Sequence, residues 1–324
     1  MSHFGTVALI GRSNVGKSTL LNTALGEPLA IVSPLPQTTR TSLLGIVNRG
    51  EDQIAFLDTP GMHHARSELG RRMNAAAQDS LRHADLIVFV SDVSCLLRPA
   101  AMQKGQRAKP TVAIDPADVA LLGLLRPDIP TILLINKVDL VGNKHRLLPL
   151  METFSQRFGF VAAVPVSCQS KEDVERVLAT IIEHLPEGKA KYAQDDITDR
   201  PVRYFIAEYV REQVLLATRR EVPHAVAVTV DNCHEEEKML HAAVTLHVEK
   251  DGQRRILVGR GGQMVRDIGT KARARISKLV GKKVHLELFV KTNAAWKSVP
   301  RQLAELGFVD SLAEATSASP KGSL

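Results

Sequence analysis

Eight residues, GRSNVGKS at 11–18, narrow the folds open to this chain more than any other stretch. They fit the pattern G-x(4)-G-K-[ST] and stand between an apolar run, TVALIG, and a helical pattern, KSTLLNTALG. Such a loop wraps phosphate oxygens with backbone N–H groups when a buried strand delivers it and a helix leaves it, adding its positive end. The phosphate-binding candidates are Gly11, Arg12, Ser13, Asn14, Val15, Gly16, Lys17, Ser18 and Thr19. Lys17 would neutralise the β- and γ-phosphates, and Ser18 would ligate Mg2+. The expected fold class is α/β, with a doubly wound and mostly parallel sheet.

QIAFLD, LIVFVSD, TILLINK and AAVPVS are further apolar runs of strand length, suited to burial on both faces. Ligands of such a sheet collect at the carboxyl ends of its strands, and two more motifs fall there. NKVD at 136–139 follows TILLI. The Asp139 carboxylate can accept two N–H bonds from guanine, a donor pair that adenine lacks, so the nucleotide is expected to be GTP or GDP. Asn136 and Lys137 would brace the loop and stack on the ring. VSCQ sets Ser167 and Cys168 where a further loop would touch the base through its backbone.

DTPG (Asp58, Thr59, Pro60, Gly61) follows QIAFL. Asp58 would hold Mg2+ through water, and the Gly61 N–H would sense the γ-phosphate. The next residue, Met62, cannot orient a water, so unaided hydrolysis is expected to be slow. His63 and His64 read as part of a solvated switch loop, since no partner ligand is spaced with them. The segment LLRPAAMQKGQRAKPT (96–111) is basic and aperiodic, and reads as an exposed insertion.

A chain of 324 residues has room for a second core. The first domain is expected over 1–186 and a polar, aperiodic linker over 187–200. A smaller α+β domain is expected over 201–310, and a disordered tail over 311–324. Asp199 is a candidate cap for a helix with Pro201 in its first turn and an apolar stripe of Val202, Phe205, Ile206, Tyr209, Val210 and Val214. Strands HAVAVTVD and HAAVTLHVEK follow, with a DG turn at 251–252 and room for a short helix; then come a basic helix over Gln263–Leu279 and a strand, VHLELFVK.

Between them, LVGRGGQMVRDIG (257–269) reads as an apolar strand end, a loop of three glycines around Arg260, and a helix. From Arg254 to Lys297 twelve lysines and arginines face two acidic residues, which favours a polyanion partner. A lone GxGG also fits a dinucleotide loop or a plain turn. Its place before a basic helix, in a helix-strand-strand-helix-strand unit, favours a GxxG clamp on single-stranded RNA rather than DNA. The RNA-binding candidates are Gly259, Arg260, Gly261, Gly262, Arg266 and Lys271. Phe289 is expected in the core, and Trp296 is left between core packing and base stacking.

Three dispersed cysteines (Cys95, Cys168, Cys233) without CxxC spacing fit a reduced compartment. MSHFGTVALIG enters a strand at once, which leaves no room for a signal peptide, and the apolar runs are too short to span a bilayer.

The three nucleotide motifs, with AIVSPLPQTTRT between the first two, resemble the TrmE–Era–EngA class of translation-factor GTPases. With one such domain ahead of a basic glycine-loop domain, residues 4–308 resemble the Era family of bacterial small-subunit assembly GTPases. The resemblance implies a type II KH domain in the second half and a first switch at QTTR, with Thr39 as a Mg2+-binding threonine. It implies that Lys17, Asn14, Thr39 and Gly61 serve hydrolysis, and that K+ would sit at Asn14, Ser33, Leu35 and Thr38. The implied partners are single-stranded RNA at the 3′ end of small-subunit ribosomal RNA and the 30S subunit. The implied location is the cytoplasm, with peripheral contact at the inner membrane left open. The 96–111 segment and the tail depart from the family pattern. Two rival classes are a tRNA-modification GTPase and an RNA-binding module with a regulatory nucleotide site.

Overall fold

The computed structural model describes residues 2–33, 35, 38–61, 67–97, 113–294 and 296–308. Met62, His63 and His64, most of the 96–111 segment and the 311–324 tail lie outside the described residues. Of the described residues, those within 1–30, 39–64 and 73–199 form one compact unit, and those within 31–38, 65–72 and 200–324 form another.

The first unit runs β1 (Phe4–Ile10), α1 (Lys17–Leu25), β2 (Leu43–Arg49), β3 (Asp52–Asp58), α2 (Glu68–Arg82, entering it at Met73), β4 (Leu86–Asp92), α3 (Ser94–Leu97), α4 (Pro116–Leu122), β5 (Thr131–Asn136), α5 (Leu147–Ser155), β6 (Ala162–Pro165) and α6 (Lys171–Ile182). The six strands order β2-β3-β1-β4-β5-β6, and only the β2–β3 pair is antiparallel. Every residue of β4 and β5 is buried, as continuous apolar runs between two helical layers require. On one face Phe89, Leu133 and Ile135 pack with Leu150 and Phe154 of α5.

The sequence reading missed β2. Its run, LLGIVNR, is interrupted by Gly45, which reads as a strand breaker. The glycine is there for packing: a Cβ at 45 would lie 2.5 Å from Leu21 Cδ1 of α1.

Residues 187–200 hold no helix or strand, yet they are tied down. Gln53 Nε2 donates to Tyr192 O (2.9 Å), while its Oε1 accepts the N–H groups of Lys191 and Tyr192 (both 2.9 Å). Ile46 N–H donates to Ile197 O at 2.9 Å, and Thr198 Oγ1 to Leu44 O at 2.7 Å. The segment therefore straps the open edge of β2.

The second unit contains α7 (Val202–Ala217), α8 (Val222–Ala225), β7 (Ala227–Glu235), β8 (Met239–Val248), α9 (Asp251–Val258), α10 (Gln263–Val280), β9 (Lys283–Thr292) and α11 (Pro300–Glu305). Its sheet orders β7-β8-β9, with β7–β8 antiparallel and β8–β9 parallel. Helix α7 starts from Pro201 without a side-chain cap, so Asp199 is not the cap that was expected.

Two further expectations fail for one reason. Parallel strands cannot be joined by a tight turn; they need a crossover. Asp251 and Gly252 accordingly open α9 instead of forming a turn, with Gln253 Oε1 accepting the N–H groups of Glu249 (3.0 Å) and Lys250 (3.1 Å). Leu257 and Val258 end that helix, so the glycine loop follows a helix and not a strand.

Trp296 is fully buried, with Nε1 donating to Ala225 O at 3.0 Å. Phe289 is 49% exposed on β9, against expectation. In VHLELFVK the period of two puts Phe289 with His285, Glu287 and Lys291 on the side away from Leu288, whose side chain meets Gly269 of α10.

Candidate active site and nucleic-acid interface

The phosphate loop leaves β1 through a backbone that only glycine fits. Gly11 (φ +155) and Gly16 (φ +111) would place a Cβ 2.1 Å from Val90 O and 2.1 Å from Asn136 Nδ2, respectively. Lys17, buried at the start of α1, folds back so that Nζ donates to Gly11 O and Arg12 O, both at 2.9 Å. Burial pulls its pKa down to about 8, against the opposing pull of Asp58. The ammonium thus has carbonyl partners but no bonded anion among the described residues, and a bound phosphate would favour its charged form.

Beside it Ser18 Oγ donates to Asp58 Oδ2 at 2.6 Å. Thr39 Oγ1 lies 3.1 Å from Ser18 Oγ and 3.4 Å from the same carboxylate oxygen. Asp58 is fully buried, burial raises its pKa, and its Oδ1 has no hydrogen-bond partner among the described residues. A buried carboxylate with an open oxygen beside two hydroxyls is a donor set for a hard, oxygen-seeking cation, so these residues fit Mg2+. DTPG closes on the loop: Thr59 Oγ1 donates to Leu9 O at 2.7 Å, and a Cβ on Gly61 would stand 2.7 Å from Ser13 Oγ.

On the base side Asn136 joins three segments. Its Nδ2 donates to Val15 O (2.6 Å), and its Oδ1 accepts Lys137 N–H (2.7 Å) and Cys168 N–H (2.9 Å). Lys137, at φ +63, sends Nζ to Asn14 O (2.8 Å) and Asp92 Oδ2 (2.6 Å). Asp139 is exposed, as a base reader must be. Ser167 N–H goes to Asp173 Oδ2 at 2.8 Å. The N–H groups of Ser167 and Cys168 thus brace the loop that was expected to touch the base through its backbone. Cys168 is buried, and burial pushes its thiol up to about 12.

Sequence reasoning missed the partners of Arg12. Its side chain turns from the phosphate loop to Asp118 Oδ1 (2.8 Å), Asp92 Oδ1 (3.4 Å) and Asp115 Oδ2 (3.4 Å), and Ser91 Oγ donates to Asp118 Oδ2 at 2.7 Å. No local pattern announces a contact across 106 residues. Of the residues matched to K+, Ser33, Leu35 and Thr38 are joined to one another, with Leu35 N–H donating to Ser33 Oγ (3.1 Å) and Thr38 Oγ1 to Leu35 O (2.7 Å). Asn14, at φ +65, belongs to the phosphate loop.

In the second unit, Gly259 (φ +73), Gly261 (φ +59) and Gly262 (φ +79) hold the left-handed conformations that open α10 without a side-chain cap. Gln263 N–H, the first of that helix, donates to Arg260 O, and the Arg260 side chain is exposed beside it. Arg266 Nη2 donates to Gly261 O at 2.6 Å, so its guanidinium lies on the loop. Lys271 sits about 140° round the helix from Arg266, whereas exposed Arg273 returns to the same side. The helix adds Arg273 to the loop's basic face in place of Lys271.

A parallel sheet with this loop, metal-side cluster and NKVD brace, followed by a unit with a glycine loop, defines a P-loop GTPase carrying a KH domain. The pattern of the 50S ribosome-binding GTPase family matches residues 6–137, and that of the KH domain matches 221–297. The chain is 39% identical over 306 residues to GTPase Era of Lactobacillus delbrueckii subsp. bulgaricus, covering 94% of this chain and 95% of that one. A crystal structure of a tyrosine-to-alanine variant of Aquifex aeolicus Era bound to GDP and AlF4− superposes with a TM-score of 0.86 at 34% identity, covering 95% and 99% of the two chains. A second, of Era with MgGDPNP and nucleotides 1506–1542 of 16S ribosomal RNA, gives a TM-score of 0.87 at 33% identity, covering 95% and 100%. The chain belongs to the Era family of GTPases.

Proposed function

We propose that this GTPase is a switch that binds single-stranded RNA near the 3′ end of small-subunit ribosomal RNA and assists assembly of the 30S subunit. The observation that carries the nucleotide half is buried Asp58, with one oxygen open beside Ser18 and Thr39. In this reading Ser18, Thr39 and, through water, Asp58 would hold Mg2+, which when bound would supply positive charge beside the β- and γ-phosphates. Lys17 and the loop N–H groups bind the phosphates, Asp139 reads guanine, and the Gly61 N–H reports the γ-phosphate. The K+ assignment to Asn14, Ser33, Leu35 and Thr38 is part of the proposal, and equal hydrolysis rates in K+ and Na+ would remove it.

The RNA half is supported by the three positive-φ glycines that open α10 without a side-chain cap beside exposed Arg260, and by the relative whose structure holds 16S ribosomal RNA. Gly259, Arg260, Gly261, Gly262, Arg266 and Arg273 form the proposed clamp. This work belongs in the cytoplasm, where ribosomes assemble; among the described residues no helix is long and apolar enough to cross a membrane. Crosslinking the protein to RNA in cells and sequencing the attached fragments tests the reading. Fragments from the 3′ end of small-subunit RNA are expected, and recovery chiefly of tRNA would overturn it.

A further inference from the structure

The segment 31–38 and helix α7 lie in the same compact unit, and one hydrogen bond between them bears on the residues beside the metal position. Arg211, within α7, is 3% exposed. Its guanidinium grips both carboxylate oxygens of Glu208 one turn back, Nε to Oε1 at 2.8 Å and Nη2 to Oε2 at 2.6 Å. The same Nη2 donates to the Thr38 carbonyl at 2.5 Å. Nη1 is buried with no acceptor among the described residues. Burying a guanidinium is unfavourable unless its donors are used, and fixing a helix-borne pair with Glu208 does not require the carbonyl.

The Thr38 carbonyl and the Thr39 N–H share one rigid peptide plane. Holding the carbonyl fixes that plane and leaves Thr39 only its own φ and χ1 with which to aim its hydroxyl. That hydroxyl lies 3.1 Å from Ser18 Oγ and 3.4 Å from Asp58 Oδ2. On its other side Thr38 is anchored by its own hydroxyl bond to Leu35 O.

We propose that Arg211 is a positioning residue for GTP hydrolysis, holding the Thr38 carbonyl so that Thr39 is aimed at the Mg2+ position. This rests on the reading of Ser18, Thr39 and Asp58 as the metal side of the nucleotide site. The helix that carries Arg211 also carries Glu212, which pairs with Arg275 of α10, whose guanidinium covers the Tyr209 ring at 4.1 Å. The grip on Thr38 is thus mounted on the helix that packs against the one leaving the glycine loop.

The test uses full-length protein with Arg211→Lys and Arg211→Gln. Lysine keeps the charge beside Glu208 but lacks the planar fork that reaches carboxylate and carbonyl together. GTP turnover is measured across Mg2+ concentrations, with GDP affinity and thermal melting alongside, and each variant is repeated in a Thr39→Ala background. Arg211→Lys should lower kcat about tenfold and raise the Mg2+ needed for half-maximal rate, while GDP affinity stays within about twofold. In the Thr39→Ala background it should add almost nothing, because both changes remove one interaction. Wild-type turnover in Arg211→Lys, or losses that multiply with those of Thr39→Ala, would overturn the proposal. If Thr39→Ala alone leaves turnover and Mg2+ demand unchanged, the metal-side reading itself falls.

Discussion

Removing the Asn136 side chain beyond Cβ (Asn136→Ala) tests whether one amide holds the phosphate and base subsites in register. Asn136 is 4% exposed and makes three hydrogen bonds, to Val15 O, Lys137 N–H and Cys168 N–H, at 2.6–2.9 Å. A net contribution of about 1 kcal/mol per bond gives ~3 kcal/mol, and more if the abandoned groups stay buried and unpaired. The three partners belong to three loops that the nucleotide must touch at once. The loss should therefore appear mainly as weaker binding of GDP, by about two orders of magnitude. Titration of a fluorescent GDP analogue, with a urea denaturation curve for the same variant, separates binding from global stability. A folded variant that binds GDP within about threefold of wild type would refute the bracing argument.

The remaining expectations address the other groups. Lys17 has its pKa held near 8 by burial, and a bound phosphate favours the charged amine, so GTP affinity should be flat below pH 8. Above pH 8 it should fall by up to about tenfold per unit as binding takes up a proton, and calorimetry in buffers of different ionisation heat would detect that proton. Asp139→Asn should move preference from GTP toward xanthosine triphosphate, with a loss of a few kcal/mol for GTP, measured by competition binding. Changing Arg260 and Gly261 together to Asp should lower RNA affinity at least about tenfold at moderate salt and leave GTP binding near wild type, which paired titrations of one preparation would check.

The nucleotide site was legible in the sequence because it sits on strands buried on both faces, where each motif directly follows a continuous apolar run. TVALIG, QIAFL and TILLI each deliver their loop to the same sheet edge, so reading the runs placed the loops. What escaped depends on partners far along the chain. Arg12 belongs to the phosphate-loop pattern, yet its guanidinium answers to acids on β4 and α4. The short run ILV before Gly259 suits a strand or a helix equally, and only the parallel pairing of β8 with β9 decides for the helix. Phe289 escaped the core because an edge strand shows one face outward, and Trp296, which the sequence left open, is buried where the Ala225 carbonyl accepts its indole N–H.

The strap over β2 has a consequence for where this polypeptide can be cut. A fragment ending at Pro186 would carry every strand of the six-stranded sheet but would strip the edge of β2 of the Ile197 acceptor and the Thr198 donor, and leave Gln53 without Lys191 and Tyr192. An apolar edge strand with open N–H and C=O groups recruits other chains. Thr198 therefore marks the shortest end point for a soluble G-domain fragment, and a ribosome translating this chain must release residue 198 before that edge is sealed.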